Sequence, residues 1–198
     1  MPAFSEVLMR GTLISGQEII GFFDIINSRD LSIMFFLLCI GAIVRYLLVS
    51  TENPIIPNIL VAFYCLAIIV IMPDFLQALA IGVVFGLVAA LISHSLFDPA
   101  FLVSEPLGAA VCLGSFMVFQ NRIWGAPFLT AVAATLASGI AYTSLAVSFG
   151  QVKIINEFSG TEEFIIGICL IMAITALLNG LIVAIAYDKI VAFREHLA

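Results

Sequence analysis

The sequence predicts an all-α integral membrane protein, a six-helix transmembrane bundle with an N-terminal interfacial segment. Three observations carry this reading. The 198 residues are 63% apolar and 10% charged, against about 45–50% and about 25% in soluble domains. The charges fall between long neutral runs: 53–73, 75–97, 106–121, 123–152 and 164–187 hold no Asp, Glu, Lys or Arg, and 31–51 holds only Arg45. Each run approaches the roughly 20 apolar residues that a helix needs to cross a hydrocarbon core of about 30 Å. Period-2 alternation is missing, which sets aside an outer-membrane barrel.

Two parts follow: an N-terminal segment, 1–30, and a six-helix transmembrane substrate-binding domain, 31–198. In the first part Phe4, Val7, Leu8, Ile19 and Ile20 alternate with Glu6, Arg10, Glu18 and Asp24. That pattern suits an amphipathic helix lying on the bilayer over 4–29, with a frayed tail as the alternative. The same acids interrupt the apolar core that a signal peptide needs. Helix one is expected at about 31–50. Pro54 and Pro57 mark the turn into helix two, 55–72, and Pro73 the tight turn into helix three, 74–94. Pro99 and Pro106 bound a loop before helix four, 106–120. Pro127 starts helix five, 125–147, where its missing N–H costs nothing. Ser159 or Thr161, followed by Glu162 and Glu163, opens helix six, 163–192.

Orientation follows from basic residues, which stay on the cytoplasmic side. An even number of spans puts both termini together with Arg10, Arg29, Arg122, Lys189 and Arg194, leaving Lys153 and Arg45 for the other side. Both termini are therefore expected in the cytoplasm, with the protein multi-pass in the cell membrane. The loop "HSLFDPAFLVSEP", 94–106, then faces outward and is expected to close over a small-molecule site.

Two stripes of small residues stand out, Ala78, Gly82, Gly86 and Ala90 on helix three and Thr130, Ala134 and Ser138 on helix five. In lipid, close approach through such residues drives helix association, either within the bundle or against a partner subunit. The four cysteines, Cys39, Cys65, Cys112 and Cys169, each stand alone within a span and read as small apolar fillers.

Ionisable and amide groups inside a span are costly and face a cavity or a partner. Arg45 either snorkels to the headgroups or aims its planar fork at a substrate carboxylate. Glu105 either offsets a helix N-terminus or holds a substrate ammonium. His94 either orders its loop or serves as a ligand. Asn58 lies at the outer end of helix two. Asn179, with Thr175 one turn before it, must find hydrogen-bond partners, so it ties helices together or lines a cavity. Tyr64 and Tyr142 suit a pocket wall or simple packing, and Trp124 beside Arg122 suits an interface anchor.

No G-x-S-x-G, H-E-x-x-H or G-x-x-x-x-G-K-[ST] occurs, so no enzyme and no cofactor are expected. A net charge of −6 speaks against nucleic acid as a partner. Active transport through this chain would draw its energy from a partner subunit or an ion gradient.

The run from "IGAIVRYLLVSTENPIIPN" through "EPLGAAVC" resembles an S-component of the energy-coupling-factor (ECF) transporters, and within them the tryptophan-transporter type. The likeness rests on "PN" opening helix two, "FYCLAI" within it, and a G-x-x-x-G helix three ending in "SHSLF". It continues through "EPLGAAV", "TLASGIAY" and "LLNGLIVAIAY", covering about 40–190. The resemblance implies a subunit that captures a scarce small-molecule nutrient on its outer side, here tryptophan or a related metabolite. It also implies a transmembrane coupling protein and two ATPase subunits as partners. By match to the family's site region, Asn58, His94, Glu105, Tyr142 and Asn179 face the ligand; Arg45 joins them on charge. Helix one departs from the family, lacking the alanine pair that marks its docking face; only Gly41 and Ala42 are small there. The alternative is a structural or accessory subunit of a larger membrane complex with no ligand of its own.

Overall fold

A helix that is apolar on every side has no face to give to water and ends in a core or a bilayer. The stretch Leu60–Ile71, LVAFYCLAIIVI, is such a helix. In the computed structural model, which describes residues 28–50, 57–93, 97–150, 154 and 160–196, it forms α2, and eleven of its twelve residues are buried. Around it stand α1 (Ser28–Val49), α3 (Phe75–Ile92), α4 (Phe101–Phe119), α5 (Ala126–Phe149) and α6 (Thr161–His196), with a 3-10 turn at Asp98–Ala100 leading into α4.

These five surrounding helices are long and apolar enough to cross a membrane. Helix α2 is not: at 1.5 Å per residue it is about 18 Å long, well short of a hydrocarbon core of about 30 Å. Where six spans are expected from the sequence, the described residues form five long helices and one short, enclosed one. The chemistry at both ends of α2 explains its length. Pro57 fixes its own backbone and disfavours helix in the residue before it. Ile59 N–H bonds back to Pro57 O at 3.1 Å in a tight turn, so the helix opens at Leu60 and not at residue 55. At the other end Met72 adopts the left-handed conformation, φ 54, and donates to Ile68 O at 2.8 Å. Pro73 then bars further helix.

Asp74 immediately restarts the chain as the N-cap of α3. Its carboxylate accepts from Gln77 N–H at 2.8 Å, and Gln77 Oε1 accepts from Asp74 N–H at 3.1 Å, a reciprocal capping box. Helix α4 begins five residues earlier than expected, at Phe101. Pro99 lies in the first turn of the 3-10 segment, where a missing N–H is harmless. Pro106 is then inside the helix, and Glu105 sits in its second turn and not in a loop. Helix α6 begins at Thr161, with Glu162 and Glu163 in its first turn, where acids complement the helix dipole.

Both small-residue stripes are used inside the molecule. A Cβ on Gly82 would lie 2.6 Å from Pro106 Cα, and one on Gly86 would lie 2.5 Å from Phe101 O, so α3 touches α4 backbone to backbone. On α5, Thr130, Ala134 and Ser138 are buried; Ser138 and Ala134 border Gly108 of α4. The outer faces of α1, α3 and α6 carry exposed Phe35, Phe36, Ile43, Leu91, Ile166 and Leu170. Such an apolar exterior would aggregate in water and suits a hydrocarbon surround.

The alternating direction of the helices makes two polar ends. At one, Arg194 of α6 donates to both carboxylate oxygens of Asp30 on α1, at 3.0 and 3.3 Å, and to Val70 O of α2 at 2.7 Å. The other end holds the cluster described next. The amphipathic reading of 4–29 falls on 1–27, outside the described residues; Ser28–Asp30 already belong to α1.

Candidate functional site

Four helices, the turn before α2 and the residue that closes α3 bring polar groups to one buried place near the end of the bundle where α2 begins. Because α2 is short, Asn58, one of three non-helical residues before it (Pro57, Asn58 and Ile59), reaches into the bundle. Asn58 is the hub. Its Oδ1 accepts from Arg45 Nη1 of α1 at 3.1 Å, its Nδ2 donates to Glu105 Oε1 of α4 at 2.5 Å, and its backbone O accepts from Asn179 Nδ2 of α6 at 3.0 Å. The amide orientation is fixed by its neighbours, since a guanidinium only donates and a carboxylate only accepts.

Each outer member of the chain is held by a second contact. Arg45 Nη2 donates to Ser93 Oγ just past α3 at 3.2 Å. Ser138 Oγ of α5 donates to Glu105 Oε1 at 3.0 Å, and Asn179 Nδ2 donates also to Thr135 Oγ1 of α5 at 3.0 Å. Arg45 is 1% exposed and Glu105 and Asn179 are 0% exposed, so both formal charges are out of contact with solvent. Among the described residues they form no direct ion pair. The Asn58 amide stands between them and carries the charge-assisted bonds to each, which are about twice as strong as neutral ones. The guanidinium also lies 4.7 Å from the centre of the Phe101 ring, a cation–π contact. Phe101 in turn stacks on Tyr142 of α5 at 4.9 Å.

Three buried polar atoms of this network have no hydrogen-bond partner among the described residues: Arg45 Nε, Glu105 Oε2 and Asn179 Oδ1. The Tyr64 hydroxyl approaches the Glu105 carboxylate without the geometry of a hydrogen bond, while its ring meets Phe85 edge-on at 5.8 Å. Buried polar atoms are nearly always paired; Gln77 Nε2, Ser104 Oγ and Thr130 Oγ1 are also unpartnered among the described residues, but the three named above meet through one hub, Asn58.

Of the residues singled out from sequence, Arg45, Asn58, Glu105 and Asn179 are therefore joined in one network, and Tyr142 borders it through Phe101. His94 lies outside the described residues. Arg45 does not snorkel; it turns inward. Ser93, Thr135, Ser138 and Phe101 were not foreseen as members. Ser93 and Phe101 flank the 94–100 segment with nothing local to mark them. Thr135 and Ser138 carried a usable signal, two hydroxyls three residues apart on one face of an alanine-rich helix.

The cysteines are free thiols. Cys65 and Cys112 lie side by side between α2 and α4, an adjacency that their sequence spacing did not reveal. Among the described residues no group of three His, Cys, Asp or Glu is placed to hold a metal ion. No protein-family model, curated protein or solved structure matches the chain.

Proposed function

We propose that this protein is the substrate-capture subunit of a nutrient importer of the ECF type. It takes a small molecule, tryptophan or a related metabolite, from the extracytoplasmic side and relies on partner subunits for ATP hydrolysis. In this reading both termini are cytoplasmic, the five long helices and short α2 together make the six-helix binding domain, and the Asn58 cluster lies toward the outside. The observation that carries the reading is that buried polar atoms of Arg45, Glu105 and Asn179, all joined to Asn58, lack hydrogen-bond partners among the described residues. A ligand offering both donors and acceptors would satisfy them in a dry, apolar surround, as small-molecule sites commonly do. The motifs quoted above supply the family part of the proposal, and the distribution of basic residues supplies its orientation.

The test is direct. Protein purified into nanodiscs is titrated with tryptophan, other amino acids and vitamins by calorimetry, and native mass spectrometry looks for a retained small molecule. Saturable binding that Arg45→Ala and Glu105→Ala weaken supports capture at this cluster. Absence of saturable binding across the panel, with thermal unfolding still cooperative, defeats it.

One observation favours a second reading, an accessory subunit without a ligand. The chain Arg45–Asn58–Glu105–Ser138 joins α1, α4 and α5 to the start of α2 and could serve simply to lock these helices in register, a use to which buried polar groups are sometimes put. That reading predicts co-purification with an assembly that contains no ATPase, and no small molecule.

A further inference from the structure

We infer that Arg194, at the far end of the bundle, is a positioning residue for the Asn58 cluster and acts through α2. The two sites share that helix. Asn58 stands two residues before its first turn, and Val70, whose carbonyl accepts from Arg194 Nη1 at 2.7 Å, lies in its last turn. That carbonyl is one of the four at a helix C-terminus that have no partner within the helix. A cation there also complements the negative end of the helix dipole. Arg194 is itself pinned, because Asp30, 8% exposed, accepts from its Nε and Nη2 at 3.0 and 3.3 Å. Arg29 approaches the same carboxylate at 3.8 Å.

Between its two anchors α2 is well suited to transmit position. It has no glycine or proline, and its sides are apolar apart from the Tyr64 hydroxyl, which makes no hydrogen bond among the described residues. An apolar rod can shift along its axis by exchanging one dispersion contact for another, whereas a polar bond must break. Polar clamps at the ends therefore fix where the rod sits. Asn58 has little freedom of its own: Ile59 N–H is bonded to Pro57 O and Ala62 N–H to Ile59 O, so the hub moves with the helix. Release of the Arg194 clamp should loosen the geometry with which Asn58 spans Arg45 and Glu105. The claim offers a contiguous rigid element, the physical ground that a coupling between distant sites requires. Its relevance to ligand capture rests on the function proposed above; the positioning itself does not.

The experiment uses the full chain in nanodiscs and reads hydrogen–deuterium exchange by mass spectrometry, without ligand. Arg194→Ala is compared with Arg194→Lys, which keeps the charge, and with Asp74→Ala, which removes the α3 cap at the same end of the bundle without touching α2. The expected result is faster exchange in peptides covering 58–62 for Arg194→Ala, by about tenfold, the order that loss of one charge-assisted hydrogen bond permits. Arg194→Lys should restore part of the protection, and Asp74→Ala should leave 58–62 unchanged. Exchange that rises only at 68–72, or rises equally in α3 and α5, overturns the proposal. A tryptophan titration of the same variants then separates the two ideas. If the wild type binds, Arg194→Ala should bind more weakly than Arg194→Lys. If the wild type does not bind, the capture reading falls while the exchange result still decides the positioning role.

Discussion

Asn58→Ala is the most revealing single change, because the side chain it removes is a connector and not a charge. An ordinary interhelical hydrogen bond in a membrane protein contributes only about 0.6 kcal/mol, so loss of two would cost about 1 kcal/mol. The Asn58 amide is not in that position. It donates to a carboxylate at 2.5 Å and accepts from a guanidinium at 3.1 Å, with Arg45 and Glu105 both buried. A hydrogen bond to a charged group contributes about 1.5–3 kcal/mol, and its loss leaves that buried charge unsatisfied. The substitution keeps the Asn58 backbone carbonyl, and with it the bond from Asn179, so the expected loss is that of the two side-chain bonds at the lower end, about 3 kcal/mol. Unfolding can be followed with a thiol-reactive fluorophore, for which the protein carries its own reporters. Cys65 and Cys112 are buried and react only on opening, while exposed Cys169 sets the baseline. A loss under about 1 kcal/mol, the value for two neutral bonds, would refute the view that the amide mediates between two buried charges.

Three further outcomes follow from the same geometry. Arg45→Met and Glu105→Leu should each destabilise by about 3–5 kcal/mol, and the double variant by clearly less than the sum, because an apolar replacement of both charges removes the desolvation cost; additive losses in a thermal-unfolding cycle would contradict the coupling. Gly86→Ala should cost about 1–3 kcal/mol through overpacking, since its new methyl meets a backbone oxygen, Phe101 O, at 2.5 Å, whereas Gly114→Ala, with nothing nearby, should not destabilise; equal unfolding midpoints for the two would remove the close α3–α4 approach. Trp124, the sole tryptophan and 104% exposed, lies in the turn between α4 and α5, beyond the end of α4 opposite to Glu105, so its emission should hold constant in a tryptophan analogue titration while ligand emission shifts; quenching of Trp124 that saturates with ligand would place the site elsewhere.

Much of the architecture was legible because membrane insertion is a local property. Neutral run length against bilayer thickness gives the long helices, and proline and acid placement gives most of their ends. The failures have specific causes. The apolar run 53–73 is long enough for a full span, but Pro57 and the left-handed Met72 cut the helical part of α2 to twelve residues. Pro106 reads as a boundary in the sequence yet lies inside α4, which begins at Phe101; nothing local separates a proline that opens a helix from one that a helix takes in near its start. Among candidate site residues, polarity alone marked Arg45, Asn58, Glu105 and Asn179, since each is expensive in an apolar span. It did not mark Ser93 or Phe101, which are ordinary residues made important by what they touch.

The amino-acid order by itself determined the solvent of this protein, its all-helical class and which side chains needed partners, because each follows from hydrophobicity summed over one helix length. Which partners they found was decided only by the tertiary structure. The bonds that define the cluster join residues 13, 47 and 121 positions apart, and the clasp at the other end joins residues 164 apart. No local period encodes such pairings. They arise because a short helix, apolar on all sides, is enclosed by five others, and its polar ends must then be satisfied by whatever those five present.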